Sequence, residues 1–219
     1  VQGDEGEIVI CDVRGRLKQE QLDTDLVATG DHVLWRPTRA GRGVIEEVLE
    51  RETQLSRRRP GTDVEQVLVA NPDQAVFIFS VREPEPKLRM LDRLLVLAET
   101  NELPALICIN KVDLVEDEDS LREMVERFFV YEEIGYPVVY ASAKTGLGVD
   151  ELREHLAGKL SVLSGPSGVG KTSLLNAIQP ELGLHTREIS EATGKGRHTT
   201  VATRLWPLEV GGYVADTPG

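Results

Sequence analysis

Two patterns of apolar and polar residues divide the chain. The first 60 residues contain short β-type runs at 7–13, 31–35 and 43–48, broken by Gly, Pro and Asp. Such runs, with no helical period between them, predict the strands of a small all-β barrel. Pro60 and Gly61 are turn residues, so we predict that this first domain covers residues 1–62.

From about residue 67, apolar strands alternate with amphipathic helices. Strands are predicted at 75–80, 105–109, 137–140 and 160–163, and helices at about 87–101, 119–134 and 150–157. This βαβα pattern, with nearly continuous apolar strands, predicts a mostly parallel sheet covered by helices on both faces. We therefore predict an α/β domain over residues 67–219, with ligands at the carboxyl ends of its strands.

The composition narrows the classes of partner. The 219 residues are 40% hydrophobic and carry a net charge of −12, which argues against binding nucleic acid with the whole surface. Residues 36–59 are a local exception, with seven arginines against four glutamates, and end in Arg57, Arg58 and Arg59. This stretch is either an RNA contact or a solvated loop face. No run approaches the about 18 apolar residues of a membrane span, and the acidic start lacks a signal-peptide pattern, so we expect a cytoplasmic protein without a membrane partner.

A phosphate-binding motif lies between a predicted strand and a predicted helix. Residues 165–172, GPSGVGKT, match G-x-x-x-x-G-K-[ST]. The glycines allow backbone N–H groups to surround phosphates, Lys171 supplies a positive charge to the β- and γ-phosphates, and Thr172 supplies a hydroxyl to Mg²⁺. The predicted phosphate-binding residues are Gly165, Pro166, Ser167, Gly168, Val169, Gly170, Lys171, Thr172 and Ser173. Since guanylate kinases have a similar loop, a nucleotide monophosphate kinase is an alternative at this point.

Two further strand ends carry residues that select guanine. Asn110, Lys111, Val112 and Asp113 form N-K-x-D, and Ser142, Ala143 and Lys144 form S-A-K. Asp113 can accept hydrogen bonds from guanine N1–H and the exocyclic amine together, a pairing that adenine cannot offer. The backbone N–H of Ala143 can donate to guanine O6. Together with the phosphate motif, these residues predict GTP and GDP as ligands.

The end of the chain supplies a third phosphate element. Residues 216–219 form D-x-x-G, in which Asp216 would hold Mg²⁺ and the N–H of Gly219 would contact the γ-phosphate. This motif together with N-K-x-D disfavours the kinase alternative. Residues 189–200 are polar and glycine-rich, as expected for a switch segment, and Thr200, or else Thr199, is the candidate switch threonine on Mg²⁺.

The order of these motifs is unusual. N-K-V-D, S-A-K, the phosphate loop, G-R-H-T-T and D-T-P-G follow one another, whereas small GTPases usually begin with the phosphate loop. In this order, and with a small barrel in front, the chain closely resembles the circularly permuted GTPases of the ribosome small subunit-dependent GTPase A (RsgA/YjeQ) family. The resemblance implies an OB-fold that binds rRNA, and GTP hydrolysis stimulated by the small (30S) ribosomal subunit during its late maturation. It also implies that His198 positions or activates water beside Lys171. We expect a monomer.

One feature of that family has no counterpart in this sequence. Its members carry a C-terminal Cys/His domain that binds Zn²⁺, whereas Cys11, Cys108 and the four histidines form no ligand pair. The chain begins at Val1 and ends directly after D-x-x-G, so we expect a piece of a longer protein. An alternative function is an rRNA-docking module that senses GTP and barely hydrolyses it.

Overall fold

Contacts between residues divide the chain into two compact units, Val1–Asn71 and Pro72–Gly219. The structure, a computed structural model, describes residues 1–3, 6–14, 26–38, 41–58, 65–184 and 203–216. The predicted boundary between residues 62 and 67 falls inside an antiparallel strand pair of the first unit. The division between the two units comes after Asn71 instead.

The first unit is built from five described strands. They are β1 (Cys11–Val13), β2 (Val33–Pro37), β3 (Gly43–Val48), β4 (Gln54–Arg58) and β5 (Glu65–Ala70). β3 is the middle strand of a three-stranded sheet, parallel to β1 and antiparallel to β2, and β4 pairs with β5. The apolar pattern predicts the first three of these strands, although β1 is shorter than expected. It does not predict β4, whose sequence Gln-Leu-Ser-Arg-Arg has a single apolar residue.

The second unit is an α/β domain around one six-stranded sheet. Its strands are β6 (Gln74–Ser80), β7 (Ala105–Asn110), β8 (Val138–Tyr140), β9 (Lys159–Ser164), β10 (Leu205–Pro207) and β11 (Gly212–Asp216). Their order is β10-β11-β9-β6-β7-β8, and every neighbouring pair is parallel except β10 with β11. This confirms the predicted α/β class and the mostly parallel sheet. All seven residues of β6 are buried, as expected for a strand covered on both faces.

The described part of this unit contains four α-helices. They are α1 (Leu88–Thr100), α2 (Glu118–Glu133), α3 (Val149–Leu156) and α4 (Lys171–Ile178). Buried residues of α3 and α4 join the sheet in one apolar cluster that includes Leu152, Leu156, Leu174 and Leu175. Helix α2 is different, because only Phe128 and Tyr131 are buried on it. No helix in the described ranges is long and apolar enough to cross a membrane.

The sheet order explains where the motifs meet. β7, β6, β9 and β11 are consecutive and parallel, so their carboxyl ends lie at one edge of the sheet. Asn110 ends β7, Ser164 ends β9 just before the phosphate motif, and Asp216 ends β11. This is the edge at which parallel α/β sheets bind their ligands.

Candidate nucleotide-binding site

The phosphate-binding loop lies directly against strand β6. Gly165 has φ +151°, and a Cβ atom added there would lie 2.1 Å from the backbone oxygen of Ile78. No side chain fits at that distance. The loop can therefore pass this close to β6 only because its first residue is glycine.

Lys171 is the first residue of α4 and lies across this loop. Its Nζ donates to the carbonyl oxygens of Gly165, at 2.7 Å, and Pro166, at 3.1 Å. Burial lowers the pKa of Lys171, while the negative charge of Asp216 opposes that shift. The ammonium is thus held against the loop, where it could meet the β- and γ-phosphates of a nucleotide.

Asn110 joins the base-reading loops to the phosphate loop. Its buried side-chain amide donates from Nδ2 to the carbonyl oxygen of Val169 at 2.8 Å. Its Oδ1 accepts from the backbone N–H of Ala143 at 3.2 Å. Gly170, with φ +94°, passes so close that an added Cβ would lie 2.4 Å from Nδ2. One amide therefore connects the N-K-x-D, S-A-K and G-K-T motifs.

Asp113 is positioned by the S-A-K residues. Its Oδ1 accepts from Ser142 Oγ at 2.6 Å, and its Oδ2 lies 3.6 Å from Lys144 Nζ. The hydrogen bond from Ser142, followed by smaller effects that include the charge of Lys144, holds the pKa of Asp113 below its usual value against the opposing effect of desolvation. At neutral pH this side chain is an anionic acceptor, which is the form that guanine N1–H and the exocyclic amine require.

A cavity of about 340 Å³ opens between these motifs. It is lined by Glu83, Asn110, Lys111, Asp113, Leu114, Ala143, Lys144, Gly170 and Ser173. Its volume and its few convergent polar groups are typical of small-molecule sites. Val112, whose N–H donates to the carbonyl oxygen of Ala141 at 3.2 Å, supports the wall of the cavity through its backbone. The structure thus brings the base-side residues to one cavity and the phosphate loop to its edge.

The loop from Val81 to Pro86 contributes Glu83 to the lining of this cavity. The Val81 N–H donates to the carbonyl oxygen of Asn110 at 3.0 Å, and Lys111 Nζ donates to the carbonyl oxygen of Glu83. Ser80, fully buried at the end of β6, donates from Oγ to the carbonyl oxygen of Pro84 at 2.8 Å. The motifs do not reveal these residues. The available signal is one polar side chain at the end of an otherwise apolar strand.

We predict that Ser80→Ala accelerates the release of GDP about fivefold, because losing a hydrogen bond worth about 1 kcal/mol loosens the loop that holds Lys111. The dissociation rate of a fluorescent GDP analogue measures this. Ser161→Ala is the matched control, since Ser161 is another buried strand serine, hydrogen bonded to Gln74 at the start of β6. Equal release rates in the two variants would contradict the prediction.

Asp216 and Thr172 are suited to hold Mg²⁺. Asp216 Oδ1 is buried without a hydrogen-bond partner among the described residues, and Thr172 is buried as the second residue of α4. Burial raises the pKa of Asp216 to about 6, with the charge of Lys171 opposing the shift. An unpaired carboxylate oxygen and a hydroxyl beside a phosphate loop are hard oxygen donors of the kind that Mg²⁺ prefers. Within the described ranges, no three His, Cys, Asp or Glu side chains cluster as a further metal site.

The raised pKa of Asp216 makes a prediction about stability. Folding favours the neutral carboxyl, so burying the ionised form of Asp216 destabilises the folded protein. This cost is absent below the ordinary pKa of 3.8 and grows as the pH rises through about 6. In EDTA and without nucleotide, Asp216→Asn should therefore raise the free energy of unfolding at pH 8 by about 1–2 kcal/mol, a value reduced for partial exposure. Urea denaturation at pH 8 and pH 4.5 measures this. A gain of the same size at both values would contradict it.

Several predicted site residues lie outside the described residues. They are His198, Thr199, Thr200, Gly219 and Arg59. Arg57 and Arg58 are the last two residues of β4, and their side chains also lie outside the description. Of the phosphate loop, Ser167 and Gly168 are exposed and Val169 is buried.

Several known proteins are similar to this chain in sequence. The model of the RsgA GTPase family matches residues 48–219. The small ribosomal subunit biogenesis GTPase RsgA of Thermotoga maritima is 45% identical over 214 residues, which are 98% of this chain and 68% of that protein. The protein of the same name from Gemmatimonas aurantiaca is 45% identical over 222 residues, covering 100% of this chain and 71% of the relative.

Two solved structures are also similar. The crystal structure of YjeQ from Thermotoga maritima has a TM-score of 0.76 at 42% identity, covering 99% of this chain and 68% of that one. YloQ, described as a circularly permuted GTPase, has a TM-score of 0.69 at 33% identity, covering 99% of this chain and 64% of that one. With the motif order and the connected base and phosphate loops, these similarities show that the chain belongs to the RsgA GTPase family of circularly permuted, GTP-hydrolysing P-loop proteins.

Proposed function

We propose that this GTPase acts in the late maturation of the small ribosomal subunit and that the 30S subunit stimulates its hydrolysis of GTP. The names of relatives that are 45% identical support the ribosomal role. The observation that carries the choice of nucleotide is the cavity beside Asp113, whose carboxylate suits the N1–H and the exocyclic amine of guanine.

The residues of the chain divide the work of hydrolysis. Lys171 exchanges its carbonyl partners for phosphate oxygens, so its charge opposes the negative charge that develops on the transferred phosphoryl group. Thr172, Asp216 and Thr200, or else Thr199, would hold Mg²⁺, which neutralises charge on the β- and γ-phosphates. His198 orients the attacking water, and the N–H of Gly219 contacts the γ-phosphate.

The first unit is proposed to be an OB-fold that contacts rRNA. The supporting observation is the position of Arg57 and Arg58 at the end of β4, next to Arg59 in a stretch of local positive charge within an acidic chain. Phosphate contacts of this kind need only a few cations on one surface. We further propose that the protein is a monomer and that it acts in the cytoplasm, where ribosomal subunits are assembled.

A stimulated GTPase assay tests the proposal. Phosphate release is measured with and without purified small subunits, and at least a tenfold increase is expected. His198→Ala should retain GTP affinity and lose most of this stimulated rate, because orienting the water affects the chemical step alone. GTP binding without stimulation would instead support a sensor that does not hydrolyse GTP.

Charge reversal at the three arginines tests the RNA contact. Arg57→Glu, Arg58→Glu and Arg59→Glu together should weaken co-sedimentation with small subunits while leaving GTP affinity unchanged, because phosphate attraction is lost. Arg89→Glu with Arg93→Glu is the control, since both arginines are exposed on α1. Equal weakening by the two sets would indicate a general charge effect and would contradict a contact at β4.

A further inference from the structure

Helix α2 leaves a row of apolar side chains exposed. Leu121, Val125 and Phe129 follow one another at intervals of four residues and are 49%, 43% and 48% exposed. Residues four apart lie on the same face of a helix, so these three form a continuous line, which we call the α2 ridge. Their exposure differs from that of Phe128 and Tyr131, the two buried residues of this helix.

The ridge is more than scattered surface hydrophobicity. Val130 and Ile134 are also exposed, so five of the thirteen exposed large apolar residues in the described part of the chain lie between Leu121 and Ile134. Helix α1 of the same domain exposes only Val96 in that way. Single exposed apolar residues are normal, whereas contiguous ones mark an interaction surface.

The charges around the ridge are mostly negative. Helix α2 carries six acidic residues, Glu118, Asp119, Glu123, Glu126, Glu132 and Glu133, against two basic ones, Arg122 and Arg127. Arg127 is occupied by Glu85, at 3.0 Å, and Glu123, at 2.5 Å, and Arg122 lies 3.6 Å from Asp119. The outer surface of α2 therefore combines an apolar line with a clear excess of negative charge.

This combination selects one kind of occupant. RNA would bring phosphates against carboxylates, which is repulsive at contact distance. A second copy of the chain in a symmetric contact would place the acidic borders of two ridges against each other. A protein helix with apolar residues and flanking Lys or Arg would instead match both the line and the charge.

We propose that the α2 ridge docks an amphipathic, lysine- and arginine-bearing segment of a protein component of the small ribosomal subunit. The inference rests on the proposed ribosomal function and adds to it. It assigns a protein contact to the GTPase domain, in addition to the RNA contact proposed for the first unit. On a particle made largely of RNA, an acidic apolar helix face is compatible with a basic protein and with little else.

Site-specific photocrosslinking tests this contact. Val125 is replaced by p-benzoylphenylalanine, and the protein is irradiated with purified small subunits and a GTP analogue that is not hydrolysed. The adduct is then digested with ribonuclease or with protease to identify its partner. We expect an adduct to a ribosomal protein that survives ribonuclease. Val96→p-benzoylphenylalanine, on the exposed face of α1, is the matched control and should give no such adduct.

Each other outcome overturns the inference. An adduct to rRNA, an adduct to a second copy of the chain, or no adduct in protein that co-sediments with subunits would remove the proposed contact and leave the proposed function intact. Absence of co-sedimentation in the unmodified protein would overturn both. In a second measurement, Val125→Asp should weaken co-sedimentation about tenfold at unchanged GDP affinity, whereas Val96→Asp should not. Equal affinities of the two variants for the subunit would also overturn the inference.

Discussion

Asp113→Asn should weaken GTP binding about a hundredfold. In the proposed complex the carboxylate would accept two hydrogen bonds from guanine. Hydrogen bonds to a charged group contribute about 1.5–3 kcal/mol each, part of which the amide oxygen of Asn would retain. Asn also presents an N–H₂ donor toward the exocyclic amine of guanine, so one former contact becomes donor against donor. Competition of unlabelled nucleotides against a fluorescent GDP analogue measures the loss.

The same variant should bind xanthosine triphosphate better than the unmodified protein does. Xanthine carries a carbonyl oxygen where guanine carries the exocyclic amine, and that oxygen can accept from the Asn amide. Asp117→Asn is the control, because Asp117 caps α2 by accepting from the Ser120 N–H at 2.7 Å and does not line the cavity. If Asp113→Asn kept its preference for GTP over xanthosine triphosphate, Asp113 would not read the base.

Gly165→Ala should lower the free energy of unfolding by about 3 kcal/mol, and Gly168→Ala by only about 1 kcal/mol. Both glycines have φ in the region that disfavours L side chains, which costs about 1 kcal/mol or more. Only at Gly165 would the new Cβ also lie 2.1 Å from a backbone oxygen, so β9 and β6 would have to separate. At Gly168 the nearest atom is Pro84 Cδ at 3.7 Å.

Urea denaturation of the two variants without nucleotide separates packing from ligand binding, because both positions lie in the same loop. Equal losses would mean that the loop does not depend on its close approach to Ile78. A larger loss in Gly168→Ala would reverse the assignment of the constrained glycine.

The sequence predicts the residues of the candidate nucleotide site because the chemistry proposed for them depends on side-chain identity. Few other residue types could perform the functions proposed for Asp113, Asn110 and Lys171. The apolar strands before them fix their place at the sheet edge. Helix α4 begins at Lys171, the residue that follows the left-handed Gly170. Here the sequence motif and the observed helix start at α4 agree.

Other parts of the structure depend on contacts that cannot be predicted from the type of residue involved. Lys111 and Ser80 bond to the main-chain carbonyls of Glu83 and Pro84, and any residue at these positions would offer the same acceptor. The predicted domain boundary differs from the division after Asn71 for a similar reason. Pro60 and Gly61 indicate a turn, but a turn between two paired strands and a turn between two domains have the same composition.

The amide of Asn110 has a consequence for ligand choice beyond the base. Since it bonds both the Val169 carbonyl and the Ala143 N–H, it fixes the spacing between the predicted base-reading loops and the phosphate-binding loop. The distance between the two parts of the site is therefore fixed. A guanine compound whose sugar is replaced by a longer or shorter linker would satisfy one end only, so we expect discrimination by length as well as by base.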